Sequence, residues 1–178
     1  MTARPLLVVV GPPASGKTTV GTAVADALGL AFRDTDRDVE TVTGMSVADV
    51  FVDMGEEGFR ELEVAAVARA LAEHDGVLAL GGGAVMRPET RQLLVALGRS
   101  GGSVVWLDVD LPSAAKRVGL SRDRPLLAVN PRAMLRTMLE QREPLYAEVA
   151  THKIPTAGRN ADEVVAEVLA VLRPGTER

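Results

Sequence analysis

The most constraining feature of this 178-residue chain is an octapeptide near its amino terminus. Residues 11–18 read Gly-Pro-Pro-Ala-Ser-Gly-Lys-Thr and match the pattern G-x-x-x-x-G-K-[ST]. They follow the apolar run 6–10, which is typical of a strand buried on both faces. They precede a segment, from about Gly16 to Leu28, whose apolar residues recur at helical spacing. The order strand, glycine-rich loop and helix predicts a loop whose backbone N–H groups converge on an anion.

The residue types in the loop predict that the anion is the phosphate chain of a nucleotide. Gly11 and Gly16 allow the backbone to wrap around phosphate, and the following helix contributes the positive end of its dipole. Lys17 can bridge the outer phosphates, and the hydroxyl of Thr18 suits a magnesium ion. The alternative interpretation is an ordinary glycine turn before a helix.

Short apolar strands and amphipathic helices alternate along the whole chain. Strands are predicted at 6–10, 30–33, 77–80, 103–107 and 153–156. Helices are predicted at 16–28, 46–51, 56–73, from 88, at 112–118, from 131 to 146 or beyond, and from 161 to before Pro174. Because the strands are continuously apolar rather than alternating, they predict an α/β fold with a parallel sheet covered by helices on both faces. No linker divides the chain, so residues 1–178 are expected to form a single domain.

Composition excludes several classes of function. Lys and Arg number 20 against 24 Asp and Glu, and this net charge of −4 argues against a nucleic-acid or anionic-membrane binder. Aromatic residues make up only 3%, which argues against a surface for base stacking. The absence of cysteine excludes disulfides and thiolate chemistry. No run approaches the ~18 apolar residues of a membrane span, and a soluble, cytoplasmic protein is expected.

Two carboxylates follow the second predicted strand, at the sheet edge where ligands bind in open α/β folds. Of Asp34 and Asp36, one could orient magnesium-bound water and the other could accept a proton from an attacking hydroxyl. The alternative is a polar exit from a strand, where aspartate is common.

A glycine triplet and a charged pair are further candidates. Gly81, Gly82 and Gly83 follow the third predicted strand at the same edge and permit close approach by a ligand, although a flexible turn is the alternative. Arg60 and Glu63 are three residues apart and share one face of a predicted helix. The alternative for this pair is a surface ion pair.

Arginines are concentrated in and around residues 119–130, which carry three charges and a proline and are predicted to form a loop. They are Arg117, Arg122, Arg124 and Arg142. A cationic loop beside a triphosphate would stabilise the transferring charge and exclude water. A solvated basic segment is the alternative, and residues 142–146 could equally be a helix end.

Together these clusters resemble the shikimate kinase family over nearly the whole chain. The matching segments, in the order and spacing of that family, are residues 11–18, 34–36, 44–51, 58–60, 80–85, 124–127 and 142–146. The resemblance implies a three-layer P-loop NTPase fold of the nucleoside-monophosphate-kinase type, with a five-stranded parallel sheet. It also implies a substrate-binding region at about 39–67, a lid at about 119–130, and Mg²⁺-dependent transfer of phosphate from ATP to the 3-hydroxyl of shikimate, a step towards chorismate and the aromatic amino acids.

The resemblance also assigns roles to residues. It implies that Arg60 and Arg142 bind the shikimate carboxylate, that Asp36 contacts the substrate hydroxyls as the base, and that Asp34 holds magnesium through water. The resemblance implies four further sets. The first three are Gly81, Gly82 and Gly83 in the substrate pocket; Asp36, Lys17 and Arg124 in catalysis; and Thr18 and Asp34 at the metal. The nucleotide set is Gly11, Pro12, Ala14, Ser15, Gly16, Lys17, Thr18, Thr19, Arg117, Arg124 and Arg159, in which Arg117 and Arg159 flank adenine and Arg124 reaches the phosphates.

Two departures and two alternatives accompany the resemblance. Pro12 and Pro13 stand where the family often has glycine, and Thr18 replaces a frequent serine, but neither change removes a needed group. One alternative is another small-metabolite kinase such as a gluconate kinase; the glycine triplet and residues 142–146 favour shikimate. The other is an ATP-binding module without transfer activity, which would need no base. No coiled coil or long apolar seam is visible, so a monomer is expected.

Overall fold

A computed structural model describes residues 4–119 and 130–172 of the chain. In that part five strands alternate with seven α-helices and one short 3-10 helix at Ala84–Met86. The strands are β1 Leu7–Val10, β2 Phe32–Asp34, β3 Val77–Ala79, β4 Ser103–Asp108 and β5 His152–Pro155. The helices are α1 Lys17–Leu28, α2 Thr35–Thr43, α3 Val47–Glu73, α4 Pro88–Arg99, α5 Leu111–Gly119, α6 Pro131–Val149 and α7 Ala161–Leu172.

The five strands form one parallel sheet in the order β2-β3-β1-β4-β5. The central strand β1 pairs on one side with β3 and on the other with β4, so its carboxyl end, followed by the glycine-rich loop, opens at the middle of the sheet. This architecture confirms the predicted fold class. It also places the ends of β1, β2 and β3 at one edge, where parallel sheets bind their ligands.

The two faces of β1 belong to two different apolar layers, as expected for a strand covered by helices on both sides. Leu7 and Val9 pack in the layer formed with α1 and α7. Val8 and Val10 pack in the layer formed with α3, α4 and α6. All four side chains are almost completely buried, and burial of each contributes roughly 1.5–3 kcal/mol. The strand is therefore a rigid support for the loop that follows it.

Helix α2 is absent from the sequence prediction, which has only a polar strand exit at this point. Its residues are mostly polar, and its buried side chains in the described structure are only Thr35 and Val39, so no apolar stripe marks it. The helix begins because the side chain of Asp34 caps it, accepting a hydrogen bond from the backbone N–H of Asp36 at 3.0 Å. Strand β2 is correspondingly displaced, from the predicted 30–33 to Phe32–Asp34.

Helix α3 contains a break at Gly55, whose φ of 71° and ψ of 177° are non-helical. A left-handed φ is accessible to glycine at little cost, so the chain turns there and resumes as a helix. The prediction of separate helices at 46–51 and 56–73 thus locates the break, although the first helical segment is longer than predicted.

Helices α2 and α3 carry a small apolar cluster of their own, separate from the two layers on the sheet. It consists of Val39, Val50, Phe59 and Ala66. This packing orients α3 so that Arg60 and Glu63 are buried rather than exposed.

Helix α6 continues to Val149 with Pro144 inside it, so the alternative of a helix end at 142–146 is wrong. The predicted loop at 119–130 falls, except for its end residues, outside the described part of the chain, as does Arg124. The remaining predicted helices and strands are observed within two residues of their predicted starts. In the described ranges, no helix combines the length and apolar character that crossing a membrane requires.

Candidate functional site

The glycine-rich loop joins β1 to α1 in a conformation that its residue types make possible. Gly11 and Gly16 have φ values of 153° and 91°, and Ala14 adopts a φ of 66°, which is uncommon for a residue with a side chain. A Cβ at Gly11 would lie 2.6 Å from the carbonyl oxygen of Leu107, so only glycine fits there. Gly16 caps α1 without a side-chain hydrogen bond, which leaves the first N–H groups of the helix for an anion.

Lys17 lies folded over this loop. Its Nζ donates a hydrogen bond to the carbonyl oxygen of Pro12 at 2.9 Å. Burial lowers the pKa of Lys17 to about 8, while the negative charges of Asp36 and Asp34 act in the opposite direction. The ammonium group is therefore charged at neutral pH and is available to phosphate oxygens.

The two aspartates meet the loop at the cavity that follows β1. Asp34 Oδ2 accepts a hydrogen bond from the hydroxyl of Thr18 at 3.2 Å, and its Oδ1 caps α2. Asp36 projects from the first turn of α2, and burial raises its pKa to about 6. The neighbouring charges of Asp34 and Glu63 raise this pKa further, whereas Lys17 lowers it. At neutral pH Asp36 is a carboxylate that binds a proton more tightly than an ordinary aspartate does.

Arg60 and Glu63 form a buried ion pair, so the interpretation as a surface pair is wrong. Arg60 Nη1 lies 2.6 Å from Glu63 Oε2, and the two residues are only 7% and 1% exposed. The guanidinium Cζ lies 5.3 Å from the ring centroid of Phe59 and 5.8 Å from that of Phe51, within the range of cation–π attraction. Burial raises the pKa of Glu63, and the charge of Arg60 opposes that shift. The pair holds the guanidinium in one place.

Each glycine of the triplet is packed against a different part of this site. A Cβ at Gly81 would lie 2.6 Å from both Asp36 Oδ1 and Glu63 Oε1. A Cβ at Gly83 would lie 2.6 Å from Cζ of Arg60, and one at Gly82 would lie 2.8 Å from Cδ of Pro13. Close approach, rather than an unusual φ, is therefore the reason for three glycines here.

These elements surround one cavity of about 590 Å³. The predicted residues that line it are Ala14, Gly16, Lys17, Thr18, Thr19, Asp34, Asp36, Arg60, Gly82, Gly83 and Arg142. The lining residues that the sequence did not single out are Pro13, Val47, Phe51, Phe59, Leu80 and Met138. Glu63 also lines the cavity and was a candidate only as the partner of Arg60. Phe51 and Phe59 are two of only three phenylalanines in the chain. This scarcity is the sequence feature that could have marked them as candidate site residues.

Some predicted residues do not line this cavity in the described structure. Gly11, Pro12, Ser15 and Gly81 are not among its lining residues, although they belong to the same two loops, 11–16 and 81–83, as residues that are. Arg117, on α5, contacts the glycine-rich loop: its Nη1 donates to the carbonyl oxygen of Ala14 at 2.8 Å and its Nη2 to that of Thr156 at 3.3 Å. Arg159 pairs with Glu167 and donates to the carbonyl oxygens of Pro155 and Glu163.

The arrangement can perform one kind of chemistry well. A phosphate-binding loop with Lys17 faces a carboxylate, Asp36, and beyond it two guanidinium groups, Arg60 and Arg142. The loop suits a triphosphate, and planar guanidinium forks suit an acceptor that carries a carboxylate. The fold and the site define a P-loop phosphotransferase acting on a small anionic molecule.

The family model for shikimate kinase matches residues 13–173, which is nearly the whole chain. The chain therefore belongs to the shikimate kinase family, as the sequence resemblance predicted. A shikimate kinase of Salinispora tropica is 56% identical over 168 residues, covering 94% of this chain and 98% of the relative. A shikimate kinase of Streptomyces coelicolor is 51% identical over 165 residues, covering 93% and 94%.

Solved structures of other proteins share the fold of this chain. Shikimate kinase from Acinetobacter baumannii, in complex with shikimate, superposes with a TM-score of 0.85 at 35% identity, covering 96% of this chain and 93% of that one. A gluconokinase from Sinorhizobium meliloti superposes with a TM-score of 0.64 at 24% identity, covering 97% and 93%, and shows a shared fold alone.

Proposed function

We propose that this chain transfers the γ-phosphate of ATP to the 3-hydroxyl of shikimate, giving shikimate 3-phosphate and ADP on the route to chorismate and the aromatic amino acids. The observation that carries the proposal is the position of Arg60 and Arg142 in the same cavity as the phosphate loop and Asp36. An acceptor held there by its carboxylate has its hydroxyls next to the phosphates. Family membership supports the proposal, as does the relative described in complex with shikimate.

At the acceptor end, Arg60 and Arg142 are proposed to bind the carboxylate, with Gly81, Gly82 and Gly83 forming the adjacent wall. The Arg60 guanidinium is already fixed by Glu63 and by the two phenylalanine rings. A fixed guanidinium loses little side-chain entropy on binding, and that favours affinity.

The proposed reaction is an in-line displacement at phosphorus. The oxygen of the 3-hydroxyl forms a bond to the γ-phosphorus, the bond from that phosphorus to the β–γ bridging oxygen breaks, and ADP leaves. The hydroxyl proton passes to the carboxylate of Asp36. Its pKa of about 6 suits this role, because the group is ionised at neutral pH yet has a raised affinity for a proton.

At the nucleotide end, the loop residues Gly11, Pro12, Ala14, Ser15, Gly16 and Thr19 are proposed to cradle the phosphates together with Lys17. Lys17 would neutralise charge on the transferring group. Arg124 is proposed to approach the phosphates, and Arg117 and Arg159 to flank adenine. The contact of Arg117 with the carbonyl oxygen of Ala14 supports a location beside the nucleotide loop.

Magnesium is the proposed metal, and Thr18 and Asp34 are the residues that would hold it. The fit rests on their chemistry, since the hydroxyl and carboxylate oxygens lie 3.2 Å apart at the end of the phosphate loop. Within the described residues no group of three or more His, Cys, Asp or Glu forms a metal cage. Magnesium typically takes few protein ligands beside phosphate oxygens and water. When bound, it would neutralise phosphate charge.

The larger-scale assignments are part of the same proposal. Residues 1–178 act as one domain, with an acceptor-binding region at about 39–67 and a lid at about 119–130 whose closure excludes water. Phe51, Phe59, Arg60 and Glu63 all lie in that region and line the cavity, which supports its assignment. The protein is proposed to act as a monomer in the cytoplasm.

A coupled assay of ADP formation with shikimate, gluconate and nucleoside monophosphates tests the function. We expect consumption of ATP with shikimate alone, and ³¹P NMR of the product should show a phosphate monoester at the 3-position. Turnover with gluconate instead would favour the sugar-acid kinase, whose acceptor also carries a carboxylate and hydroxyls. Consumption with none of them would favour an ATP-binding module without transfer activity.

The variant Asp36→Asn tests the base in the same assay. It should abolish turnover while nucleotide binding, measured by calorimetry, survives. The matched control is Asp75→Asn, an exposed aspartate before β3, which should retain activity. Full activity of Asp36→Asn would exclude the proposed role.

A further inference from the structure

Two buried hydroxyl groups from different helices bind adjacent residues of the glycine triplet. The backbone N–H of Gly81 donates to Oγ1 of Thr35, on α2, at 3.2 Å. The hydroxyl of Tyr146, on α6, donates to the carbonyl oxygen of Gly82 at 2.5 Å. Thr35 and Tyr146 are 0% and 1% exposed, so neither touches bulk water. Neither residue lines the cavity itself.

The position of the triplet determines the shape of the acceptor pocket. Its three α-carbons stand so close to Asp36, Pro13 and Arg60 that no Cβ can be accommodated without displacement of a neighbour. A shift of the triplet by a fraction of an ångström would therefore change its distance to the proposed base, to the phosphate loop and to the carboxylate-binding guanidinium together. A misplacement of about 1 Å can lower catalytic efficiency about a hundredfold, so a smaller shift should still have a measurable effect.

We propose that Thr35 and Tyr146 are positioning residues for the acceptor site, because their hydroxyls hold the glycine triplet against the groups that bind and activate the acceptor. The inference rests on the proposed function in taking shikimate as the acceptor. Neither residue touches the reacting atoms. Thr35 acts through the backbone of Gly81, and Tyr146 acts through the backbone of Gly82 and also interacts directly with the side chain of Arg142.

The two side chains are placed by features that are independent of the hydroxyl groups. The ring of Tyr146 stacks on Trp106, with centroids 5.8 Å apart, inside the apolar layer on one face of the sheet. Phenylalanine at this position would keep that packing. Thr35 lies between Asp34, which caps α2, and Asp36, so the helix start that presents the proposed base also presents the hydroxyl to Gly81. Burial raises the pKa of Tyr146 to about 12, so its hydroxyl remains a donor at physiological pH.

The experiment compares Tyr146→Phe and Thr35→Val with the wild type in steady-state kinetics. Each substitution removes one hydroxyl group and leaves the shape of the side chain nearly unchanged. We expect the KM for shikimate to rise about five- to tenfold, the effect of one hydrogen bond, while the KM for ATP changes by less than about twofold. Thr35→Ser, which keeps the hydroxyl, should restore the wild-type KM.

Two matched controls separate positioning from stability. Thr151→Val removes a hydroxyl that bonds both the N–H and the carbonyl oxygen of Val104, away from the site, and should lower Tm without changing either KM. Thr90→Val removes a buried hydroxyl that has no hydrogen-bond partner within the described residues, so it should not lower Tm and should leave both KM values unchanged. If Tyr146→Phe and Thr35→Val behave like Thr151→Val, their role is only structural and the inference is wrong.

A second readout does not depend on the acceptor. Hydrogen–deuterium exchange of the peptide covering residues 80–85 should be faster in both variants than in the wild type and in Thr151→Val, because the triplet is released. If the wild type fails to phosphorylate shikimate, the proposed function fails, and this exchange rate still decides on the two hydroxyls. Unchanged exchange in both variants would overturn the inference.

Discussion

Replacement of Asp36 by asparagine should stabilise the fold while it abolishes the proposed activity. In the wild type the Asp36 carboxylate is partly removed from water and is repelled by three other carboxylates, with only partial compensation from Lys17. The three are Asp34, Glu63 and, with the smallest effect, Glu40. These surroundings raise its pKa from 3.8 to about 6. The folded protein therefore bears a free-energy cost for keeping this group ionised, and asparagine removes that cost.

The pH range of the effect follows from the direction of the shift. Because the pKa of Asp36 is higher in the folded than in the unfolded state, folding is most favoured when the carboxyl is protonated in both. The stabilisation is complete below the unfolded value of 3.8 and is lost as the pH rises through about 6. A shift of about two pKa units corresponds to roughly 3 kcal/mol, and relaxation and solvent screening should reduce it to about 2 kcal/mol.

Urea unfolding across the pH range measures this cost directly. The free energies of unfolding of wild type, Asp36→Asn and the exposed control Asp75→Asn should be compared from about pH 4 to about pH 8. We expect Asp36→Asn to exceed the wild type by about 2 kcal/mol at the alkaline end, with the difference vanishing near pH 4. Asp75→Asn should follow the wild type within about 0.5 kcal/mol throughout.

Two outcomes would refute this reasoning. If Asp36→Asn is less stable than the wild type near pH 8, the attraction to Lys17 outweighs burial and carboxylate repulsion. If the difference in unfolding free energy does not depend on pH, the pKa of Asp36 is not raised in the folded state. The expected result would be a direct case of stability lost to maintain a reactive group.

Three further predictions concern the same cavity. The pKa values of about 6 for Asp36 and about 8 for Lys17 predict a bell-shaped pH dependence of kcat/KM for ATP. Below about pH 6 the carboxylate of Asp36 is protonated, and above about pH 8 the ammonium group of Lys17 loses its proton. A profile that is flat from about pH 5 to about pH 9 would contradict this prediction. Arg142→Lys should raise the KM for shikimate by about tenfold or more and that for ATP far less, because lysine lacks the two-pronged guanidinium, and equal increases would argue against carboxylate binding. Gly83→Ala should displace the guanidinium of Arg60 and raise the KM for shikimate by about tenfold in steady-state kinetics. An unchanged KM would show that the backbone of the glycine triplet moves to accommodate the added methyl group.

The sequence predicts the sheet and the phosphate loop well because both depend on local residue types. A strand buried on both faces needs a continuous apolar run, and Leu7–Val10 is one. The loop needs Gly11 for close approach and Lys17 for charge, and each has a fixed place in the motif. Helix α2 escapes prediction because it is held by the cap from Asp34 and by burial of Val39 against another helix, neither of which gives a periodic pattern.

The proposed acceptor side of the site is less predictable because its geometry comes from tertiary packing. Spacing alone places Arg60 and Glu63 on one helix face but does not distinguish a surface ion pair from a buried one. The ion pair is buried because Phe59 packs against Val39 and Val50. The roles of the glycine triplet likewise depend on contacts with three distant segments of the chain. Resemblance to a family locates such residues, whereas periodicity does not.

The apolar cluster of Val39, Val50, Phe59 and Ala66 has a consequence for the order in which the protein loses structure. These side chains pack on one another rather than in either sheet layer. Opening of α2 and the first part of α3 would therefore break this cluster and the hydrogen bond between Thr35 and Gly81, but it would leave both sheet layers buried. This part of the chain is therefore expected to unfold locally at a lower free energy than the sheet. An acceptor bound to Arg60 would shift this local unfolding equilibrium towards the folded form. Part of the binding free energy of the acceptor would therefore be used to order the wall of the pocket.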